Sequence, residues 1–316
     1  MQHPIYIANR MATGSALEKS TGFVRRRVWN PNHHDTPLSG SPIKRKPDIM
    51  LLDISNGQSD STPEWPSVRS ICEITSMEHY PSRMCYTLWN KAFIMMNTQF
   101  NRLFIPFLSI CHHKFWLVVC DRAGVVKSIE YDFHSNALDF LRILAGLMFG
   151  DGRLIGHDRS MGLGSNNEIV EITVAGKEYE VVKKIFTSET LRGRGTQCWH
   201  VRREGEEYIL KDSWAQVGRK NNEIEMLESV KDVFCVPTIV HGEDLQLAEG
   251  GPDSTGIIRA GATMTEERVH RRILMQPVGE SIFSFTSKKE LIGAFIDIIK
   301  GMCFCLHPVY YMINNQ

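Results

Sequence analysis

The stretch GRGTQCWHVRREGEEYILKDSW, residues 193–214, sets Gly193 and Gly195 ahead of a strand, a turn at Glu204-Gly205 and a second strand that carries Lys211. Closely spaced glycines leave backbone N–H groups uncovered, so a loop built on them can approach phosphate oxygens. A lysine on the following strand adds a point charge for the same anion. Downstream, EIEML (223–227) opens a helix whose Glu223 and Glu225 each offer a carboxylate to hold that lysine. Each piece alone is ordinary: two glycines make a turn, and lysines and helix acids populate most surfaces. Their order along the chain points to a nucleotide site.

A second constellation lies upstream. Pro47-Asp48 on one expected strand and Glu73-Ile74-Thr75 on the next resemble the PD-(D/E)xK nuclease core. That resemblance implies two carboxylates holding a divalent metal and a lysine assisting the attacking water. Thr75 stands where the lysine belongs, so the expectation is a nuclease-like domain without activity. Strand-end polar residues are the plainer reading of Asp48 and Glu73. No metal ligand is assigned: Cys111-His112-His113 and Cys303-Phe304-Cys305-Leu306-His307 each lack a second Cys/His pair at zinc spacing.

The chain of 316 residues has 36 basic and 36 acidic side chains, so no global field recruits nucleic acid or an anionic membrane, and neither is expected as a partner. Its eight scattered cysteines, with no secretory segment beside them, read as reduced thiols of an intracellular protein, cytoplasmic or nuclear. The apolar run from Leu291 to Ile313 is interrupted by Asp297, Lys300 and Pro308 and reads as a buried amphipathic helix rather than a membrane span.

Residues 1–45 read as a flexible arm, with Arg25-Arg26-Arg27 a solvated basic patch. Residues 46–160 read as an α+β domain. Strands are expected over Asp48 to Ile54 and Val68 to Thr75, then a helix capped by Ser82 with Cys85, Leu88, Trp89, Ala92, Phe93, Met95 and Met96 as its stripe. Three strands follow (RLFIPFLSIC, FWLVVC, VVKSIEYDF), turning at His112-His113 and at Asp121 to Gly124. A second helix, Asn136 to Phe149, has Leu138, Leu141, Ile143, Leu144 and Met148 as its face. GLGSNN, within residues 161–168, reads as a linker. Beyond it come hairpins around Ala175-Gly176 and Glu204-Gly205, a helix from Asn221 to Val230, a strand from Arg268 to Met275 and a helix from Ser287 to Met302.

LRGRGTQCWHV, YILKDSW, GRKNNEIEMLE and RVHRRILMQPVGESIFSFTSKKELIGAFIDIIKG resemble the fungal-type protein kinase family, as do KPDI and CDRAGVVKSIEYDF, over about Lys46 to Gly301. The resemblance implies a kinase-like small lobe over 169–280, with Gly193, Gly195, Lys211 and Glu223 as nucleotide-site residues, and Leu274 to Gly279 as last strand and hinge. ATP is the implied cofactor, with Mg only for a complete large lobe. The chain departs from the pattern in several places. Cys198 takes the third glycine position, Val201 is displaced by one, and Pro277 falls where adenine is normally offered a backbone N–H. Neither H-R-D nor D-F-G follows the hinge; HHD (33–35) and GHD (156–158) lie elsewhere. The expected molecule is therefore α+β throughout: an N-terminal domain, a kinase-like small lobe, and a large lobe that starts at 281 and is truncated. Its expected role is that of a pseudokinase-type binding or regulatory protein with protein partners; a nuclease-like binding module is the alternative.

Overall fold

A computed structural model describes residues 26–314 apart from 33, 55–62, 77–80, 220–221, 248–249, 260–261 and 263–265. Most of the expected N-terminal arm, the start of the Arg25-Arg26-Arg27 run and the side chains of Cys305 and His307 lie outside the described residues. The chain forms two compact units, each assembled from three segments: 1–170, 189–195 and 255–265 in the first, 171–188, 196–254 and 266–316 in the second.

The first unit holds β1 (Arg27–Asn30), β2 (Ile49–Asp53), β3 (Val68–Thr75), α1 (Pro81–Thr98), β4 (Phe104–Cys111), β5 (Lys114–Asp121), β6 (Gly124–Lys127), β7 (Tyr131–Asp132) and α2 (Ala137–Phe149). Its sheet runs β1-β2-β3-β4-β5-β6, with β7 also on β5. β3 and β4 are parallel and α1 makes the crossover between them; β1–β2, β2–β3, β4–β5 and β5–β6 are antiparallel. Alternation along the strands divides the core. Met50, Ile71, Ile105 and Phe107 pack with Leu88, Ala92 and Met95 of α1. Ile49, Leu51, Cys72, Leu108 and Ile110 pack with Phe140, Leu144, Leu147 and Met148 of α2. Period-2 side-chain alternation in a sheet covered on both faces produces this division.

Five expectations need correction here. Arg27 is not part of a solvated patch: it is 4% exposed, and its Nη1 donates to the carbonyls of Leu147 and Gly150 at 2.9 and 2.8 Å. The first helix begins at Pro81, ahead of Ser82, because proline's missing N–H costs nothing in a first turn. The α2 face is rotated from the expected one. Phe140, Leu144, Leu147 and Met148 are buried while Leu138 and Leu141 are exposed, since Phe140 joins the aromatic stack of Phe115 and Phe133. VVKSIEYDF is two strands, not one. Ser128 breaks it by accepting the Leu117 N–H with its Oγ at 3.1 Å and returning that hydroxyl's proton to Ile129 O. GLGSNN is part of a hairpin turn, with Gly164 N–H donating to Glu168 O at 2.9 Å.

Past β8 (Met161–Leu163), the second unit takes up the chain within β9 (Ile169–Val174) and continues through β10 (Lys177–Thr187), β11 (Gln197–Arg203), β12 (Glu206–Gln216), α3 (Glu223–Ser229) and β13 (Thr238–Asp244). A short helix of the first unit, α4 (Thr255–Ile258), precedes β14 (Arg268–Gln276) and α5 (Lys288–Asn314). The sheet order β13-β14-β12-β11-β10-β9 is antiparallel throughout. Two-residue turns with positive φ at Ala175-Gly176 and Glu204-Gly205 close its hairpins. Helix α5 is not the buried helix expected: Ile292, Phe295 and Ile299 are each at least half exposed. Among the described residues no helix is long and apolar enough to cross a membrane.

Candidate functional site

β12 lies between β11 and β14, and register fixes which side chains share a face. Cys198 of β11, Lys211 of β12, Ile273 of β14 and Gly242 of β13 form one cross-strand row. Helix α3 packs on this face through Ile224 and Leu227 against Ile239, Ile273 and Met275. Gly242 permits the approach, since a Cβ there would meet Ile224 and Ile239 at about 3 Å. Asn222 caps α3, its Oδ1 accepting the Ile224 N–H at 3.1 Å. Arg271 of β14 ties the cap down, donating to Asn222 Oδ1 at 2.7 Å while its Nε binds Asp244 Oδ1 at 2.7 Å. The helix so placed brings Glu223 onto Lys211, and the two form an ion pair whose side chains are 29% and 18% exposed.

The opposite face of the same strands is a buried ionic network. Asp212 Oδ2 accepts Nε and Nη2 of Arg272 at 2.9 and 2.6 Å, and Asp212 Oδ1 meets His270 Nε2 at 2.7 Å. His270 Nδ1 meets Asp253 at 2.9 Å, and its ring stacks on Trp214 at 4.9 Å. Burial pushes the Asp212 carboxyl up, but His270 and Arg272 outweigh it and hold the group well below the usual carboxylate range. The ordered neighbours fix β12 on one side, so Lys211 is presented from a rigid strand on the other.

Gly193 and Gly195 lie in the connection between β10 and β11, in the segment 189–195 that belongs to the first unit. Both have positive φ, +128° and +50°, which side chains rarely adopt. Gly193 N–H donates to Arg122 O at 2.9 Å, and a methyl group on Gly195 would collide with the Arg122 guanidinium. The structure thus brings Lys211 and Glu223 together, while the two glycines are held by Arg122. Cys198, at the third position of the glycine pattern, has a thiol that burial pushes up and Lys211 pulls down.

In the first unit, Asp48 and Glu73 face each other across β2 and β3. The Asp48 Oδ2 accepts the Ile74 N–H at 2.8 Å, and the Asp48 N–H reaches Glu73 Oε1 at 3.4 Å. A third group was not read from the sequence: Lys91 of α1 forms a buried ion pair with Glu73, their side chains 4% and 7% exposed. Burial pushes the Glu73 carboxyl up, Lys91 opposes this and Asp48 adds to it. The only sequence signal for Lys91 is a lysine three residues past Leu88 and four before Met95, on the stripe where an apolar residue is expected.

A family model described as fungal protein kinase matches residues 46–267 and 261–306. No curated protein and no solved structure matches the chain.

Proposed function

The chain belongs to the fungal protein kinase family, and from that premise we propose that its second unit binds ATP through Lys211, held by Glu223, as an intracellular binding or regulatory protein toward protein partners. The observation that carries the reading is the Lys211–Glu223 pair itself, a strand lysine oriented by a helix glutamate beside the strand that leads to the hinge. In protein kinases a lysine so placed contacts the α- and β-phosphates. An ammonium on a central strand, 18% exposed, suits one such contact. ATP when bound would supply the anion that draws Lys211 partly off Glu223. Gly193 and Gly195 are the family's phosphate-loop positions, carried over as nucleotide-binding residues. No side chain is assigned to Mg, because no H-R-D or D-F-G sequence follows Gln276 in these residues. Phosphoryl transfer is therefore not assigned to them either. Pro277, next after β14, has no N–H to give adenine, so modest affinity is expected.

Titration calorimetry with Mg·ATP tests this. Binding by the folded chain that weakens about tenfold or more in Lys211→Met, worth ~1.4 kcal/mol, supports it. A chain that binds no ATP at millimolar concentration, or a variant that binds as the parent does, removes it.

A further inference from the structure

We propose that the cavity between helix α5 and residues 280–286 of the second unit binds a partner protein's peptide segment in which an arginine stands beside large apolar residues. This rests on the protein-partner half of the reading above and not on its nucleotide half. The cavity measures about 360 Å³, and all of its lining comes from the second unit. That volume lies near the low end of the ~300–1,000 Å³ of ligand pockets, room for one or two side chains.

One wall is a face of α5. Leu291, Ala294 and Ile298 line it at the i, i+3, i+7 spacing that aligns side chains on a helix. Ile282 and Phe285 line it from the 280–286 segment, and Cys235 from the loop before β13. Gly301 lets α5 approach that loop, since a Cβ there would stand 2.8 Å from Phe234 O. The 280–286 segment is held by its own bonds. Ser284 Oγ donates to Ser281 O at 2.6 Å, and the Thr286 N–H and Oγ1 donate to Glu290 Oε2 at 2.8 and 2.7 Å. The cavity is therefore formed before anything enters it.

Charge decides what enters. Glu280, Glu290 and Asp297 line the cavity, and among the described residues no lysine or arginine does. Lys300 meets Asp297 at 3.4 Å, but both side chains are well exposed and water screens the pair. The Thr286 bonds hold the Glu290 carboxyl below the usual carboxylate range, so it is ionised at neutral pH. Carboxylates alone would suit a hydrated metal ion, which gains nothing from Leu291, Phe285 and Ile298. A cation on an apolar body gains from both. Guanidinium suits the site better than ammonium, because its planar fork pairs with a carboxylate bidentately and its face lies against an aromatic ring such as Phe285. The apolar surface continues past the lining: Phe283 is 89% exposed, and Phe234, next to Cys235, is also exposed. Contiguous exposed apolar groups mark interaction surfaces. A small amine would leave these two rings in water, whereas a peptide covers them with the residues beside its arginine.

The test selects binders to the full folded chain from a library of short random peptides, without nucleotide, and measures them by fluorescence polarisation. The expected result is enrichment of arginine next to Phe, Leu, Ile or Trp, with binding that weakens as salt rises. Affinity should fall about tenfold or more in Glu280→Gln/Asp297→Asn, a loss of ~1.4 kcal/mol or more. Ala294→Trp, which fills the cavity from α5 and keeps its charge, should release the same peptides while circular dichroism shows it folded. A folded parent that enriches no peptide, or enriches acidic or purely apolar ones, overturns the proposal. So do arginine peptides that bind both variants as tightly as the parent. A chain that selects such peptides but binds no ATP loses only the nucleotide reading, and one that binds ATP but selects no peptide loses only this one.

Discussion

At the scale of single residues, Lys211 and Lys91 make the same gesture in different surroundings: a lysine laid on a glutamate from a neighbouring element. Exposure separates them. The Lys211–Glu223 pair is partly open, so water screens it and its share of stability is about 0–1 kcal/mol. The Lys91–Glu73 pair is enclosed, and removing either partner leaves a buried charge, a loss of about 3–5 kcal/mol. Conservation of the fold when Glu223 changes is therefore expected, which makes it a clean probe of the nucleotide reading. Glu223→Gln should leave the urea midpoint within about 1 kcal/mol of the parent yet weaken Mg·ATP binding by up to about tenfold. Glu225→Gln, two positions past the pairing residue, should do neither. Equal losses of ATP affinity in the two variants would show that helix charge in general, rather than the Lys211 partner, is being sensed.

At the scale of elements, the sequence RVHRRILMQ makes an unusual central strand, because four of its first five residues are basic or histidine and all are buried. Each finds an acid or a carbonyl: Arg268 bonds Trp214 O, His270 and Arg272 share Asp212, and Arg271 takes Asp244. β14 is therefore held to β12 and β13 by charge as much as by ladder bonds. Because the folded Asp212 carboxyl lies below its unfolded value near 3.9, its contribution is complete above that value and is lost progressively as pH falls below it toward the folded value. Asp212→Asn should cost about 3–5 kcal/mol at pH 7, and the gap between parent and variant in urea unfolding should begin to close as pH drops below about 4. A gap that stays constant down to pH 3 would mean the carboxylate's charge is not what holds the strand. The strands themselves were legible, because turn pairs such as Ala175-Gly176 and Glu204-Gly205 bracket alternating runs. Lys91 was not, because a periodicity reading treats lysine as surface. The face of α2 was misread for a related reason: Leu138 and Phe140 are equally apolar on paper, and only the Phe115 stack decides between them.

At the scale of the whole molecule, the two units are not successive stretches of chain. Residues 189–195 and 255–265 leave the second unit's sequence and build the first. Local pattern cannot reveal this, since what recruits the segments is tertiary. Leu191, 2% exposed, sits in the core cluster of α1. Arg259 grips the fully buried Asp121 carboxylate at 2.8 and 2.7 Å, while that same carboxylate caps the turn through the N–H groups of Ala123 and Gly124. Arg122 Nη1 donates to Thr190 O at 2.7 Å. A fragment ending at Val170 looks complete by sequence but would lack all three. Losing Leu191 opens a cavity, and comparable losses cost about 2–5 kcal/mol. Losing Arg259 leaves Asp121 charged and unpaired, a further loss of about 3–5 kcal/mol. Together these approach the ~5–15 kcal/mol that holds an ordinary domain folded. Residues 1–170 expressed alone should therefore lack a cooperative urea transition or show it at a far lower midpoint than the full chain, and Asp121→Ala in the full chain should reproduce part of the shift. A 1–170 fragment as stable as the same region in the full chain would show that the two returning segments are guests of the first unit and not part of its frame.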